Sequence, residues 1–124
     1  RRGDKILIAQ RKPDSKLEPL KWEFPGGKIE FTEDPRTCLV REIREEMDFT
    51  IEVAGIFEVV SHNYHKDGEV HHVLLLCYLC DYLGGEPRPL DCNDLRWVGR
   101  DEIMSFDFAA ADLPIVRKVR SCVW

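Results

Sequence analysis

A chain of 124 residues fits one domain, 1–124, and is long enough to enclose a hydrophobic core without disulfide or metal staples. Apolar residues at 44% and charged residues at 33% exclude a disordered chain, and the longest unbroken apolar run, Val73–Cys80, is far too short to span a bilayer. The net charge of −5 comes with no basic stripe, which argues against a nucleic-acid polymer as partner and leaves open a small anion held through cations.

Arg1-Arg2-Gly3-Asp4-Lys5 carries no apolar signal core, so the expected location is the cytoplasm. Lys5–Arg11 reads as the first strand. It begins close to the chain end without an initiating Met, and part of an N-terminal strand is expected to lie outside this sequence. Lys12–Lys21 is a polar loop with two prolines, and Trp22–Glu30 reads as two short extended pieces around Pro25-Gly26-Gly27. Asp34 as N-cap and Pro35 at the first helical position open a helix that runs to about Met47. Ile51–His62 and Glu69–Leu83 read as long strands around the turn Lys66-Asp67-Gly68-Glu69, and Gly84-Gly85-Glu86-Pro87 ends the second. Leu95–Val98 is a further strand, Asp101–Phe106 a short helix, and Asp112–Cys122 a last helix with Pro114 near its start. Strands and helices mix without regular alternation, which predicts an α/β fold with helices packed on a mixed sheet.

The five cysteines, an odd number at irregular spacing, do not form a disulfide framework. Cys77-x-x-Cys80 has half the spacing of a zinc site, but its members point to opposite faces of a strand. His62, His65, His71 and His72 flank the hairpin turn and read as solvated hairpin residues.

The first helix carries the chemistry. Leu39, Val40, Ile43 and Met47 form an apolar stripe directed at the sheet. Glu42, Glu45 and Glu46, at i, i+3 and i+4, stack on an adjacent face, where Arg41 and Arg44 flank them. Such a cluster is either a solvated acidic face or a set of oxygen ligands for hard divalent cations. The segment in front of it favours the second reading. Gly26, Gly27 and Lys28 there offer backbone N–H groups and an ammonium to phosphate.

Gly27, Glu33, Arg41, Glu42, Ile43, Glu45, Glu46 and Phe49 match the Nudix box, Gly-x5-Glu-x7-Arg-Glu-U-x-Glu-Glu-x-Gly-U, with U a bulky aliphatic or aromatic residue, at eight of nine specified positions. The exception is Asp48, where the box has a helix-ending Gly, a left-handed position that Asp tolerates better than most residues. Beyond the box, Ala9-Gln10-Arg11, Trp22–Glu30, Gly85-Glu86-Pro87 and Ala111-Asp112-Leu113-Pro114 resemble MutT-type nucleoside triphosphate pyrophosphohydrolases and their CTP-preferring relatives.

The resemblance implies an α/β/α sandwich with the box as a loop–helix–loop. It implies Mg²⁺, or Mn²⁺, held by Glu45 and Glu46 as principal ligands. Glu42 ligates or helps activate water, and Gly26 and Asp91 complete the metal set, although Asp91 stands where the relatives carry Glu and can equally be an exposed loop acid. Glu33 and Arg41 form a structural ion pair, and Arg11, Gly27 and Lys28 lie near the phosphates. Asp112 contacts the base or caps the last helix. Phe24, with Trp22 and Phe106, supplies stacking surface or core. Tyr64 lies near where diadenosine-polyphosphate hydrolases often have a Tyr. The implied reaction is metal-dependent attack of water on a nucleoside triphosphate to give monophosphate and pyrophosphate, the substrate being an oxidised-guanine or cytosine nucleotide and the protein a monomer or homodimer. The alternatives are a dinucleoside polyphosphate or ADP-ribose as substrate, or a non-catalytic nucleotide sensor.

Overall fold

The computed structural model describes residues 1–124, and its chain opens with β1 (Lys5–Gln10). Leu7, Ile8 and Ala9 are buried in succession, as in a strand covered on both faces. Successive side chains of a strand point to opposite faces, so β1 feeds two cores. Ile8 joins one with Trp22, Val98, Ile115, Val116 and Val119; Leu7 and Ala9 join the other with Ile43, Met47, Phe49 and Ile51.

β1 is the middle strand of a three-stranded sheet, antiparallel both to β2 (Trp22–Glu23) and to a strand near the end of the chain. Next comes α1 (Pro35–Met47), which caps one face of the fold. β3 (Thr50–Lys66) and β4 (Glu69–Gly84) form a long antiparallel hairpin. Asp67 and Gly68, at φ 54° and 74°, supply the two left-handed residues that match the twist of a tight hairpin. β5 (Asp94–Gly99) is the third strand of the first sheet, and α2 (Leu113–Ser121) covers the opposite face. The result is an α/β/α sandwich. Its ladders are antiparallel, and a bridge from Trp22 to Phe108 adds a parallel pairing. No helix is long and apolar enough to cross a membrane.

α1 starts and stops as the sequence predicts. Asp34 Oδ1 accepts from the backbone N–H groups of Arg36 at 2.8 Å and Thr37 at 3.3 Å, and Pro35 follows at the first helical position. Asp48 adopts φ 57°, ψ 40°, and its N–H donates to the Arg44 carbonyl at 3.2 Å. A side chain thus occupies the left-handed position that the box gives to Gly.

Three expectations change. After Trp22–Glu23 the chain is irregular up to the helix, because Pro25 has no N–H to donate and Gly26-Gly27 has no side chains to pack. The helix predicted at Asp101–Phe106 shrinks to one 3₁₀ turn, Ile103–Ser105. β3 runs past His62 to the turn, since the hairpin ladder continues through pairs such as Tyr64 with His71. All five cysteines are free, and burial pushes the Cys77 thiol up to about 12 and Cys80 to about 11, as inert core thiols behave.

Removing the N-cap tests how far α1 depends on it. Asp34→Ala leaves two first-turn N–H groups without a protein partner, and urea unfolding is expected to show a loss of about 1 kcal/mol.

Candidate active site

Arg41 organises the acidic face of α1. Its Nε and Nη2 each donate to one Glu33 oxygen at 2.9 Å, a two-pronged pair across the loop–helix junction. Nη1 donates to Glu45 at 3.0 Å, and Nη2 lies 3.1 Å from Glu42 and 3.9 Å from Glu30. Those hydrogen bonds hold the Glu33 carboxyl down at about 2 and raise the affinity of Arg41 for its proton.

The Glu42 side chain is only 12% exposed, against 59% for Glu45. A Cβ on Gly27 would stand 2.6 Å from Glu42 Cδ, so the loop passes this close only because residue 27 has no side chain. Glu46 faces Glu42. Burial, a hydrogen bond to Glu42 and the charges of Glu42, Asp91 and Glu45 push its carboxyl up to about 7. As the side chains stand, no three His, Cys, Asp or Glu groups converge at ligand distance. Glu45 lies on Arg41, and Asp91 pairs with Lys12 at 3.0 Å. The donor chemistry still suits a hard divalent ion. Two oxygen-bearing groups meet at Glu42 and Glu46, and a cation would relieve the repulsion between them.

The loop in front of the helix joins this acidic face to a cavity of about 830 Å³. Arg11, Glu23, Phe24, Gly27, Lys28 and Asp112 line its polar part, and the rest runs between the two cores along β4. Lys28 is exposed, and its carbonyl accepts from the buried Cys38 thiol at 3.4 Å, which ties the loop to α1. Arg11 is held in place. Its Nε is 3.2 Å from both Glu23 oxygens, and Nη1 donates to the Leu17 carbonyl at 2.8 Å.

Asp112 stands at the N-cap position of α2, but its side chain makes no capping hydrogen bond. It sits inside a 3₁₀ turn, 5% exposed, and accepts from the Phe24 N–H at 3.3 Å. Burial is the main cause that pushes it up to about 7, with the charges of Glu23 and Glu18 adding to it and Arg11 opposing. Tyr64 is buried and structural in this arrangement, its hydroxyl accepting from the Ala111 N–H at 2.9 Å in the turn that carries Asp112.

Phe24 stacks on Phe108 at 5.5 Å and borders the cavity. Trp22 is buried edge-on to Phe106 at 5.1 Å, so these two rings pack the core instead of offering a stacking face. The four histidines form no cluster; His72 meets Ser61 at 2.7 Å and His71 lies 3.7 Å from Glu69.

Sequence reasoning passed over Glu23 and Cys38. Glu23 is opposite Ala9 in the β1–β2 register, on the strand edge next to Arg11, and burial raises its carboxyl against the lowering effect of Arg11. Its place in an alternating Trp22-Glu23-Phe24 segment was the available signal. Cys38 lies outside the apolar stripe, and only the folded loop reveals its partner.

The match to known proteins agrees with this geometry. A model of the NUDIX domain matches residues 1–119. The 8-oxo-dGTP diphosphatase of Escherichia coli is 30% identical over 118 residues, covering 95% of this chain and 88% of that protein. The CTP pyrophosphohydrolase of the same organism is 36% identical over 115 residues, covering 93% and 82%. The crystal structure of a MutT NUDIX hydrolase from Burkholderia pseudomallei superposes with a TM-score of 0.77 at 28% identity, covering 94% of this chain and 88% of that one. With the Arg41-centred carboxylates on α1 and a glycine loop leading to a nucleotide-sized cavity, the chain belongs to the Nudix family as a MutT-like pyrophosphohydrolase of nucleotide anhydride bonds.

Proposed function

We propose that the protein hydrolyses a nucleoside triphosphate to the monophosphate and pyrophosphate, with a cytosine or oxidised-guanine base read at Asp112. The observation that carries this reading is the layout of the site: Glu42 and Glu46 meet at one end, a buried carboxyl at the other, and the Gly26-Gly27-Lys28 loop lies between them.

Glu42, Glu45 and Glu46 would hold Mg²⁺ or Mn²⁺, with the Gly26 carbonyl and a water-bridged Asp91 beside them. The ion supplies charge to stabilise the transferring phosphoryl group and lowers the pKa of the attacking water. To hold the ion, Glu45 would give up its Arg41 contact, with Glu33 keeping Arg41 fixed. Lys28 is free to turn toward phosphate, and Arg11 offers a guanidinium already aimed by Glu23. Phe24 gives the base a flat neighbour.

Burial pushes the Asp112 carboxyl up to about 7, so both its acid and its carboxylate form are within reach near neutral pH. The neutral acid donates to N3 of cytosine and accepts from its amino group, whereas the carboxylate accepts from N1–H and N2–H₂ of guanine. Burial favours the neutral form and, with it, the cytosine edge. The names of the two E. coli relatives cover both base choices, one for 8-oxo-dGTP and one for CTP.

The deciding assay separates, by anion-exchange chromatography, the products formed with Mg²⁺ from 8-oxo-dGTP, dGTP, CTP, 5-methyl-dCTP, diadenosine polyphosphate and ADP-ribose: monophosphate and pyrophosphate from the triphosphates, two nucleotides from the dinucleotide, and AMP with ribose phosphate from ADP-ribose. A cytosine or oxidised-guanine triphosphate is expected to lead, and Glu45→Gln to lose at least about 100-fold in kcat. Turnover of only the last two substrates replaces this reading with the dinucleotide one, and no turnover in either protein makes the domain a sensor.

Gly27→Ala pushes the Glu42 carboxylate aside. It is expected to cost about tenfold in kcat with little change in melting temperature, since residue 27 is exposed and outside the core.

Asp112 also sets a pH dependence of stability. A carboxyl near 7 when folded, against an ordinary 3.8, binds its proton more tightly in the native state. The stability it contributes is full below about pH 4 and lost as pH rises through 7. Asp112→Asn removes that dependence and keeps an acceptor for the Phe24 N–H. Chemical denaturation is expected to find the variant about 2 kcal/mol more stable than the parent at pH 8, with the advantage gone near pH 4. Asn also presents the donor–acceptor pair that cytosine needs, while its amide oxygen still accepts from the N1–H of guanine, so the variant is expected to lose less on a cytosine substrate than on a guanine one.

A further inference from the structure

The turn that carries Asp112 is held by its backbone N–H groups, each taken by a different part of the fold. The Ala109 N–H donates to the Trp22 carbonyl at 2.9 Å, the Ala110 N–H to a Glu18 carboxylate oxygen at 3.2 Å, and the Ala111 N–H to the Tyr64 hydroxyl at 2.9 Å. The Asp112 N–H closes the turn on the Ala109 carbonyl at 3.0 Å. Ala109, Ala110 and Ala111 have only methyl groups with which to pack. Core packing therefore places α2 behind the turn, while these hydrogen bonds set the orientation of the turn itself. Trp22 and Tyr64 belong to β2 and β3, whereas Glu18 comes from a loop.

That loop is bent to deliver the carboxylate. Glu18 and Leu20 lie at φ 49° and 61°, left-handed positions that residues with a Cβ rarely take and keep only where neighbours hold them. Arg11 Nη1 donates to the Leu17 carbonyl at 2.8 Å, Gln10 Nε2 to the Leu20 carbonyl at 3.0 Å, and the Lys21 N–H to the Glu18 carbonyl at 3.3 Å. Arg11, Ala111 and Asp112 line the cavity, and Glu18 does not. Glu18 stands behind the cavity wall, joined to it on one side through Leu17 and Arg11 and on the other through Ala110.

We propose that Glu18 is a specificity-determining positioning residue, which fixes the direction of the Asp112 carboxyl toward the base by holding the Ala110 N–H. The inference rests on the reading of Asp112 as the group that meets the base. It gives Glu18 no contact with substrate and no part in the attack on phosphorus, since Ala110 lies at the end of the site away from Glu42 and Glu46. The requirement is reach, not charge. The neutral amide oxygen of Gln accepts the same hydrogen bond. Asp keeps the charge and takes a left-handed backbone more readily than Glu. Its shorter side chain, however, withdraws the oxygen by about 1 Å from a contact already at 3.2 Å, beyond hydrogen-bond reach.

Glu18→Gln and Glu18→Asp are compared with the parent on the triphosphate that the product assay ranks first. Glu18→Gln is expected to stay within about twofold of the parent in both KM and kcat. Glu18→Asp is expected to raise KM about tenfold at unchanged kcat and to narrow the preference over the other base, as loss of binding shared by ground and transition states does. Without substrate, exchange of the Ala110 amide is expected to quicken about tenfold in Glu18→Asp and to hold in Glu18→Gln. Equal KM in all three proteins overturns the proposal even where the Ala110 amide exchanges faster, because the hydrogen bond is then structural only. A fall in kcat at constant KM also overturns it, by moving Glu18 to the chemistry. So does a comparable loss in Glu18→Gln, which makes charge the requirement. A parent that turns over no triphosphate overturns the functional reading, and this inference with it.

Discussion

The Arg41 guanidinium is the constraint on which the site depends. Its planar fork serves Glu33 on the loop and Glu45 and Glu42 on the helix at once, at 2.9 to 3.1 Å. Three carboxylates stacked over one helical turn repel one another. A single cation among them lowers that cost, and the bidentate pair to Glu33 also fixes where the loop meets the helix. The glycine loop follows from that. With the loop drawn down on α1 by Glu33 and by the Cys38–Lys28 hydrogen bond, residue 27 comes within contact of Glu42, and a side chain there would displace the Glu42 carboxylate. A lysine in place of Arg41 would carry the charge but not the fork, and could not hold loop and helix in one plane.

The sandwich serves the same end through β1. Its three buried residues reach two cores on opposite faces, so a six-residue strand links the helix that bears the carboxylates to the helix that follows Asp112. The two ends of the site are set relative to each other by packed side chains and not by loops. That rigidity is what a reaction needing aligned phosphate, ion and base requires.

Much of this was legible in the sequence, because the signals were local. The Asp34-Pro35 start of α1, the left-handed Asp48, the Asp67-Gly68 hairpin turn and the Glu33–Arg41 pair all depend on residues close in the chain or on a fixed helical spacing. What the sequence hid depends on distant contacts. Asp112 reads as an N-cap until the Phe24 N–H, 88 positions away, is seen to take its carboxylate. Trp22 and Phe106 read as possible stacking surface until Phe108 and β5 close over them in one core. Asp91 reads as a ligand or a loop acid, and its ion pair with Lys12 is visible only once β1 and the loop before β5 lie side by side. Glu23 carries no helical or hairpin signal at all, and its role emerges from strand register.

Two carboxyl groups, Glu46 and Asp112, titrate near neutrality at opposite ends of the site, and burial leads in both. The further causes differ. Around Glu46 the additional push comes from three other acids, Glu42, Asp91 and Glu45, so the deficit is one of positive charge, and a divalent ion removes it. Around Asp112 the opposing Arg11 already neutralises part of the field, and the group lies in an apolar turn beside Phe24. A second cation there would face Arg11 and gain little. The deficit at that end is one of hydrogen-bond partners, since a buried carboxyl with one backbone donor has unused capacity to give or accept. A neutral, planar ring with donors and acceptors on one edge supplies what a metal ion cannot. On the proposed function the same acidic chemistry would select an ion at one end and a nucleobase at the other, and the difference is made by which neighbours each carboxyl has, not by the carboxyl itself.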